Sequence, residues 1–267
     1  MQEIIKKPFY KRAAPRRLTV KSAYDVSPSL RCVCLTGIGL KDFPIDCHGA
    51  HIKVFIAKPH QHELTLPDMG ETKPIWPGDD KKPFVRTYSV RRFRPDLNEL
   101  DIEFVNHGTE GPASHFALTA KPGDEVGVSS PFGPHPMLPP GNPYMIAGDL
   151  SALPAMAALL EQLPSTAQGY AYILANTAED IRPLSQPKGV QITWFTGDDA
   201  DSFITAFKAQ ASASPQHFFW IAGEEKMVIQ LRAFLYGDLS IDKQSTYALP
   251  YWRSGLDDDQ YDSLRHS

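Results

Sequence analysis

The residues best equipped for chemistry lie together in the run Arg86-Thr87-Tyr88-Ser89-Val90-Arg91. Strand alternation puts Arg86, Tyr88 and Val90 on one face and Thr87, Ser89 and Arg91 on the other. A cation, an aromatic ring and hydroxyls are thereby set side by side. A flavin needs these groups: a flat wall for the isoalloxazine, a hydrogen-bond partner near its reactive nitrogen and positive charge for the pyrophosphate. A second segment, Asp101-Ile102-Glu103-Phe104-Val105-Asn106-His107-Gly108, is followed by Gly111-Pro112-Ala113-Ser114. The small residues and the proline open a helix whose free N–H groups can face an anion. The candidate cofactor-binding residues here are Arg86, Thr87, Tyr88, Ser89, Asp101, Phe104, Val105, His107, Gly108, Gly111, Pro112, Ala113 and Ser114. Each piece alone is ordinary, since R-x-Y-S suits a solvated edge strand and G-P-A-S a plain helix cap. Their order is what carries the reading.

Arg-x-Tyr-Ser, a β run ending in His-Gly, Gly-Pro-Ala-Ser, Pro122-Gly123-Asp124 and Pro131-Phe132-Gly133-Pro134 follow one another along the chain. On these marks the chain resembles the siderophore-interacting protein family, flavin-dependent ferric-siderophore reductases within the ferredoxin-NADP reductase-like superfamily. The resemblance runs on through Ala147-Gly148-Asp149, Ala152-Leu153-Pro154-Ala155, Trp220-Ile221-Ala222-Gly223-Glu224 and Tyr251-Trp252-Arg253 with Gly255. It implies FAD as cofactor, NADH or NADPH as electron donor and a ferric siderophore as acceptor. Outer-sphere transfer needs no catalytic side chain and no metal ligand of the protein's own. The family's turn Gly-Asp-x-Thr-Ala-Leu-Pro-Ala has Ser151 in place of Thr here, which keeps a hydroxyl at the helix start. Asp149, Ser151 and Ala152 therefore join the cofactor-binding set. The resemblance assigns Lys53 to the anionic chelate, with Arg253 as second candidate. Where the family commonly has Arg-Trp, this chain has His115-Phe116, a cation only when His115 is protonated.

These groups must be positioned by two domains, for which 267 residues and 42% hydrophobic content suffice. In the first part, β-like runs over 18–23, 30–36, 50–57, 85–91, 101–106 and 125–128 alternate with Gly, Pro and Asp, which predicts a closed antiparallel β-barrel of Greek-key type. The Pro-rich stretch from Lys58 to Pro83 reads as a loop. At Pro139-Pro140-Gly141-Asn142-Pro143 the pattern changes. Beyond it, strands at 144–147, 169–174, 191–195 and 217–222 alternate with helices at 152–163, 202–209 and 226–235, a parallel sheet covered by helices. The expected domains are 1–142, binding FAD, and 143–267, an α/β nucleotide-binding domain for NAD(P)H.

Charge and composition narrow the partners. Residues 1–142 hold 19 Lys and Arg against 16 Asp and Glu, and residues 143–267 hold 8 against 15. A mildly basic first half suits pyrophosphate and an anionic chelate but is too weak for nucleic acid. The basic start, with Lys6, Lys7, Lys11, Arg12, Arg16 and Arg17, reads as a mobile arm. No apolar run is long enough for a membrane span and the start lacks a signal core, so a cytoplasmic monomer without membrane association is expected. Cys32, Cys34 and Cys47 read as reduced core thiols. His48, His51, His60 and His62 complete no metal-ligand pattern.

In Asn176-Thr177-Ala178-Glu179-Asp180-Ile181-Arg182 two acids favour a ribose 2′-hydroxyl, hence NADH, while Arg182 argues for a 2′-phosphate. Ferredoxin is a further possible donor, which the acidic second half does not favour. Two rivals stand beside the main reading. A general ferredoxin- or flavodoxin-NADP reductase is disfavoured by a final segment without a terminal aromatic. A non-catalytic siderophore-binding module differs by being unable to bleach with NADH.

Overall fold

The computed structural model describes residues 13–71, 74–109, 111–141 and 143–266. Lys6, Lys7, Lys11 and Arg12 of the basic start, and Asn142 of the Pro-rich junction, lie outside the described residues. The chain divides into two compact units, 1–137 and 138–267.

The first unit contains β1 (Arg16–Ser27), β2 (Leu30–Thr36), β3 (His51–Ile56), β4 (Asp68–Met69), β5 (Pro74–Ile75), β6 (Phe84–Ser89), β7 (Arg92–Arg94), β8 (Glu99–Val105), helix α1 (Pro112–Thr119) and β9 (Glu125–Val128). Seven of these strands form one antiparallel sheet in the order β6-β3-β9-β1-β2-β8-β7. β6 and β7 stand at its two edges yet belong to one nearly continuous run. Between them the Val90 N–H donates to the Ala50 carbonyl at 2.8 Å and the Arg91 N–H to the Asp101 carbonyl at 3.1 Å. The run 84–94 thus pairs first with β3 and then with β8, and the sheet meets itself as a barrel. The stretch 58–83 read as a loop also carries the two-stranded ribbon β4-β5 and a single turn at Asp79–Lys81.

β8 shows why both faces of a barrel strand can be buried in a chain of mixed polarity. Leu100, Ile102 and Phe104 enter the apolar core with Leu18, Val33, Ile52, Val54 and Val126. The alternate residues Glu99, Asp101 and Glu103 face the other way and are also buried. A buried carboxylate is tolerable only when paired, and each has a cation: Lys21 and Arg94 on Glu99, Arg94 on Asp101, Arg91 on Glu103. Cys32 and Cys34 share this face, in register with Glu103 and Asp101. Burial pushes both thiols up to about 12, so they are inert.

The second unit contains β10 (Tyr144–Asp149), α2 (Leu153–Gln162), β11 (Gln168–Leu174), β12 (Gly189–Phe195), α3 (Ala200–Ala213), β13 (Phe218–Glu224), α4 (Glu225–Ala233), β14 (Thr246–Trp252) and α5 (Asp258–His266). Its five strands are parallel in the order β12-β11-β10-β13-β14. β14 and α5 go beyond the elements read from the sequence. Every residue of β10 is buried, as expected of a central strand covered on both faces. The strand order reverses between β10 and β13, and in such sheets ligands bind outside the carboxyl ends at that reversal. Among the described residues no helix is long and apolar enough to cross a membrane.

Candidate functional site

In the first unit β6 does what its alternation predicts. Tyr88 is half-buried with its ring centroid 4.3 Å from that of Phe104, the planes inclined at 44°. Phe104 in turn meets Phe116 of α1 at 6.1 Å. Arg86, two residues before Tyr88, is buried; its Nη1 donates to the Val85 carbonyl at 2.9 Å and its guanidinium carbon lies 5.6 Å from the Phe84 ring centre. On the alternate positions Ser89 is buried opposite His51, while Thr87 is exposed opposite Lys53. The Lys53 ammonium donates to the Thr87 hydroxyl at 2.7 Å.

The turn into α1 is tied by one hydroxyl. Ser114 Oγ accepts from the His107 N–H at 3.0 Å and donates to the Gly108 carbonyl at 2.6 Å, and the Gly108 N–H donates to Asn106 Oδ1 at 3.0 Å. Gly108 has φ of 79°, a left-handed conformation that glycine adopts without cost. Pro112 occupies the first turn of α1, no side chain caps that turn, and Ala113 and Ser114 are buried. A Cβ on Gly111 would have no heavy atom within 4 Å, so backbone amides there can be approached closely. Half-buried Val105 and exposed His107 lead into this turn, with His115 exposed on α1.

Asp101 is not part of this gathering. Its carboxylate lies on the opposite face of β8 from Phe104, with both oxygens on Arg94, one of them at 2.7 Å.

In the second unit the site residues converge on Asp149, at the carboxyl end of β10. Its Oδ1 accepts from the Ser151 N–H at 2.9 Å and the Ser151 hydroxyl at 2.5 Å. Its Oδ2 accepts from the Glu224 N–H at 2.7 Å and the Trp252 indole N–H at 2.8 Å. Two glycines make room. A Cβ on Gly148 would come within 2.7 Å of the Ala152 Cβ and the Ala222 carbonyl, and one on Gly223 within 2.6 Å of Asp149 Oδ2. Ala152 is fully buried and donates its N–H to the Asp149 carbonyl at 3.0 Å. Glu224 caps α4, accepting from the N–H groups of Lys226 and Met227. Arg253 is exposed, with Nη1 3.3 Å from Glu225 Oε2.

The segment read for nucleotide choice is also resolved. Asp180 is fully buried and closes a capping box with Thr177, accepting from its N–H at 3.2 Å and its hydroxyl at 3.3 Å. Of the two acids there, Glu179 alone is exposed. Sequence reasoning named neither Glu224 nor Trp252 as site residues. The Gly223-Glu224-Glu225 helix start was a usable signal for the first; nothing local signals the indole's partner.

An antiparallel barrel offering an aromatic wall and an uncapped helix start, joined in one chain to a five-stranded parallel sheet, defines the class of two-module flavin reductases. Residues 19–135 match the Siderophore-interacting FAD-binding domain and residues 142–255 match the Siderophore-interacting protein domain. The chain belongs to the siderophore-interacting protein family. It is 38% identical over 260 residues, 96% of this chain and 95% of the other, to the ferric vibriobactin reductase of Vibrio cholerae. It is also similar to the NADPH-dependent ferric-chelate reductase of Escherichia coli, 28% identical over 90% of this chain and 93% of that one. The crystal structure of a siderophore-interacting protein from Aeromonas hydrophila superposes with a TM-score of 0.82 at 40% identity, covering 95% of this chain and 97% of that one.

The residues present fit FAD. Tyr88, half-buried and backed by the core ring of Phe104, offers the wall, and the open backbone at Gly111 before an uncapped helix start is a cradle for phosphate that a side chain would narrow.

Proposed function

We infer that this protein is an FAD-dependent reductase of ferric siderophores that draws electrons from a reduced nicotinamide nucleotide and delivers Fe(II). The observation that carries the reading is 38% identity across 96% of the chain to a ferric vibriobactin reductase. Residues 1–142 hold FAD and residues 143–267 the nicotinamide nucleotide, a division supported by the two domain matches and by the sheet reversal at β10 and β13.

A bound FAD would supply hydride acceptance and one-electron release, which would let one NAD(P)H reduce two ferric centres with release of one proton. The chain's own residues bind and orient. Arg86 makes the charge-assisted contact to pyrophosphate together with the N–H groups at Gly111, Ala113 and Ser114, while Pro112, which has no N–H to offer, opens the helix. Tyr88 flanks the ring, Ser89 faces its reactive edge, and Thr87, Val105, His107 and Gly108 complete the pocket. Lys53 attracts the anionic ferric chelate, and Arg253 is the second candidate for that role. NADPH is favoured as donor by the Escherichia coli relative and by the inward turn of Asp180, which leaves Glu179 as the one exposed acid of that segment. The same reading makes the protein a cytoplasmic monomer that needs no ferredoxin.

The test is steady-state turnover with NADPH and ferric vibriobactin, trapping Fe(II) with a coloured chelator. Flavin released from the protein should be FAD by mass spectrometry, and Fe(II) should form only with the flavin-loaded protein. Mainly FMN, or no Fe(II) above the flavin-stripped control, would overturn the reading.

A further inference from the structure

The Asp149 carboxylate is full. A carboxylate offers about four acceptor positions, and Ser151 N–H, Ser151 hydroxyl, Glu224 N–H and Trp252 indole N–H take four. A ribose hydroxyl could be accepted only by displacing one of them. The four donors come from the turn after β10, the end of β13 and the end of β14, so the carboxylate is a knot tying together the carboxyl ends of three strands.

The knot fixes a segment as well as a strand end. Trp252 is tied to Asp149, the Arg253 guanidinium lies 3.3 Å from Glu225, and the Ser254 N–H donates to Glu224 Oε1 at 3.4 Å. Glu225 is itself held by the Tyr261 hydroxyl at 3.1 Å. Trp252 is thus fastened to the end of β10, and the next two residues, Arg253 and Ser254, to the junction of β13 and α4. The indole has spent its one polar group inward, yet the residue remains 38% exposed beside the sheet reversal where nucleotides bind. A flat ring whose orientation is already set loses little freedom on stacking.

Building on the reading under Proposed function, we propose that Asp149 is a positioning residue which pins the Trp252 indole as a fixed stacking face for the nicotinamide nucleotide. It acts through Trp252 and touches no ligand itself. Asp149→Asn can still accept from Ser151, but its amide presents N–H groups to the Glu224 and indole N–H groups, and the pin is lost.

NADP⁺ binding measured by calorimetry on the FAD-loaded protein tests this without turnover. Asp149→Asn and Trp252→Phe should each weaken NADP⁺ by about three- to tenfold, the range one aromatic contact supplies. Their combination should be no weaker than either alone, because both break one pin. The KM for NADPH should rise by the same factor with kcat changed far less, which a loss of folding would not produce. Trp252→Phe leaves Asp149 three donors, so it serves if Asp149→Asn does not fold. Unchanged NADP⁺ affinity in Trp252→Phe, or additive losses in the double variant, overturns the proposal. Failure of the underlying reading would look different: the wild-type flavin would not bleach with NADPH at all.

Discussion

Tyr88 rests on Phe104 with ring centroids 4.3 Å apart, and this pair joins β6 to β8 across the seam of the barrel. Phe104 is 1% exposed, so its ring both seals the core and sets the angle of the Tyr88 wall. Phe104→Ala should cost about 3–5 kcal/mol of stability and lower flavin occupancy. Tyr88→Phe keeps the wall and should retain flavin. Denaturant melts alongside absorbance of the bound flavin check both, and a Phe104→Ala protein with full flavin and wild-type stability would contradict the pairing.

Arg86 and Lys53 are cations on neighbouring strands for which we propose separate tasks. Arg86 is buried beside Tyr88, whereas Lys53 lies on the other face with Thr87. Arg86→Ala should therefore strip flavin from the purified protein far more than Lys53→Ala does. The ratio of flavin to protein absorbance measures it, and equal occupancy in wild type and Arg86→Ala would show the pyrophosphate contact is misassigned.

Lys53→Glu should raise the KM for an anionic ferric siderophore and flatten its dependence on salt, because the contact is a screened surface attraction. Flavin reduction by NADPH should be nearly unaffected. If stopped-flow traces show both half-reactions slowed alike, the docking cation lies elsewhere.

His217 gives the second unit a pH dependence. Burial lowers its pKa below the usual histidine value, against the smaller opposing effect of its hydrogen bond to the Ser214 carbonyl at 2.9 Å. The native state therefore binds fewer protons than the unfolded chain as pH falls through about 6.5. Its stabilisation is whole above that pH and is lost as pH drops toward the lowered folded value. Unfolding of wild type and His217→Gln at pH 7.5 and 5.5 should show a smaller acid loss in the variant, and identical losses would contradict this.

Alternation made β6 and β8 legible, because Arg86 with Tyr88, and Leu100 with Ile102 and Phe104, recur at the two-residue strand period. What alternation cannot show is the partner of the polar face. Asp101 reads as a cofactor ligand until Arg94 is seen bent back onto it. Asp149 is a similar case, since Ser151 is two residues away while Glu224 and Trp252 are 75 and 103 away. β14 was hidden by Pro250, which argues against a strand interior. It survives because β14 is an edge strand, the place in a sheet where proline is tolerated. Asp180 was readable in principle, as Thr177-x-x-Asp180 is a capping pattern that turns the acid inward.

The central claim is that electrons pass from NADPH through protein-bound FAD to a ferric siderophore. Anaerobic stopped-flow absorbance tests it most directly, following the flavin band after NADPH is added and again after ferric vibriobactin is mixed with the reduced protein. Bleaching by NADPH is expected, then full recovery of the oxidised band on adding about two ferric chelates per flavin, the count set by one electron each. A flavin that bleaches but stays reduced in the presence of ferric siderophore would contradict it.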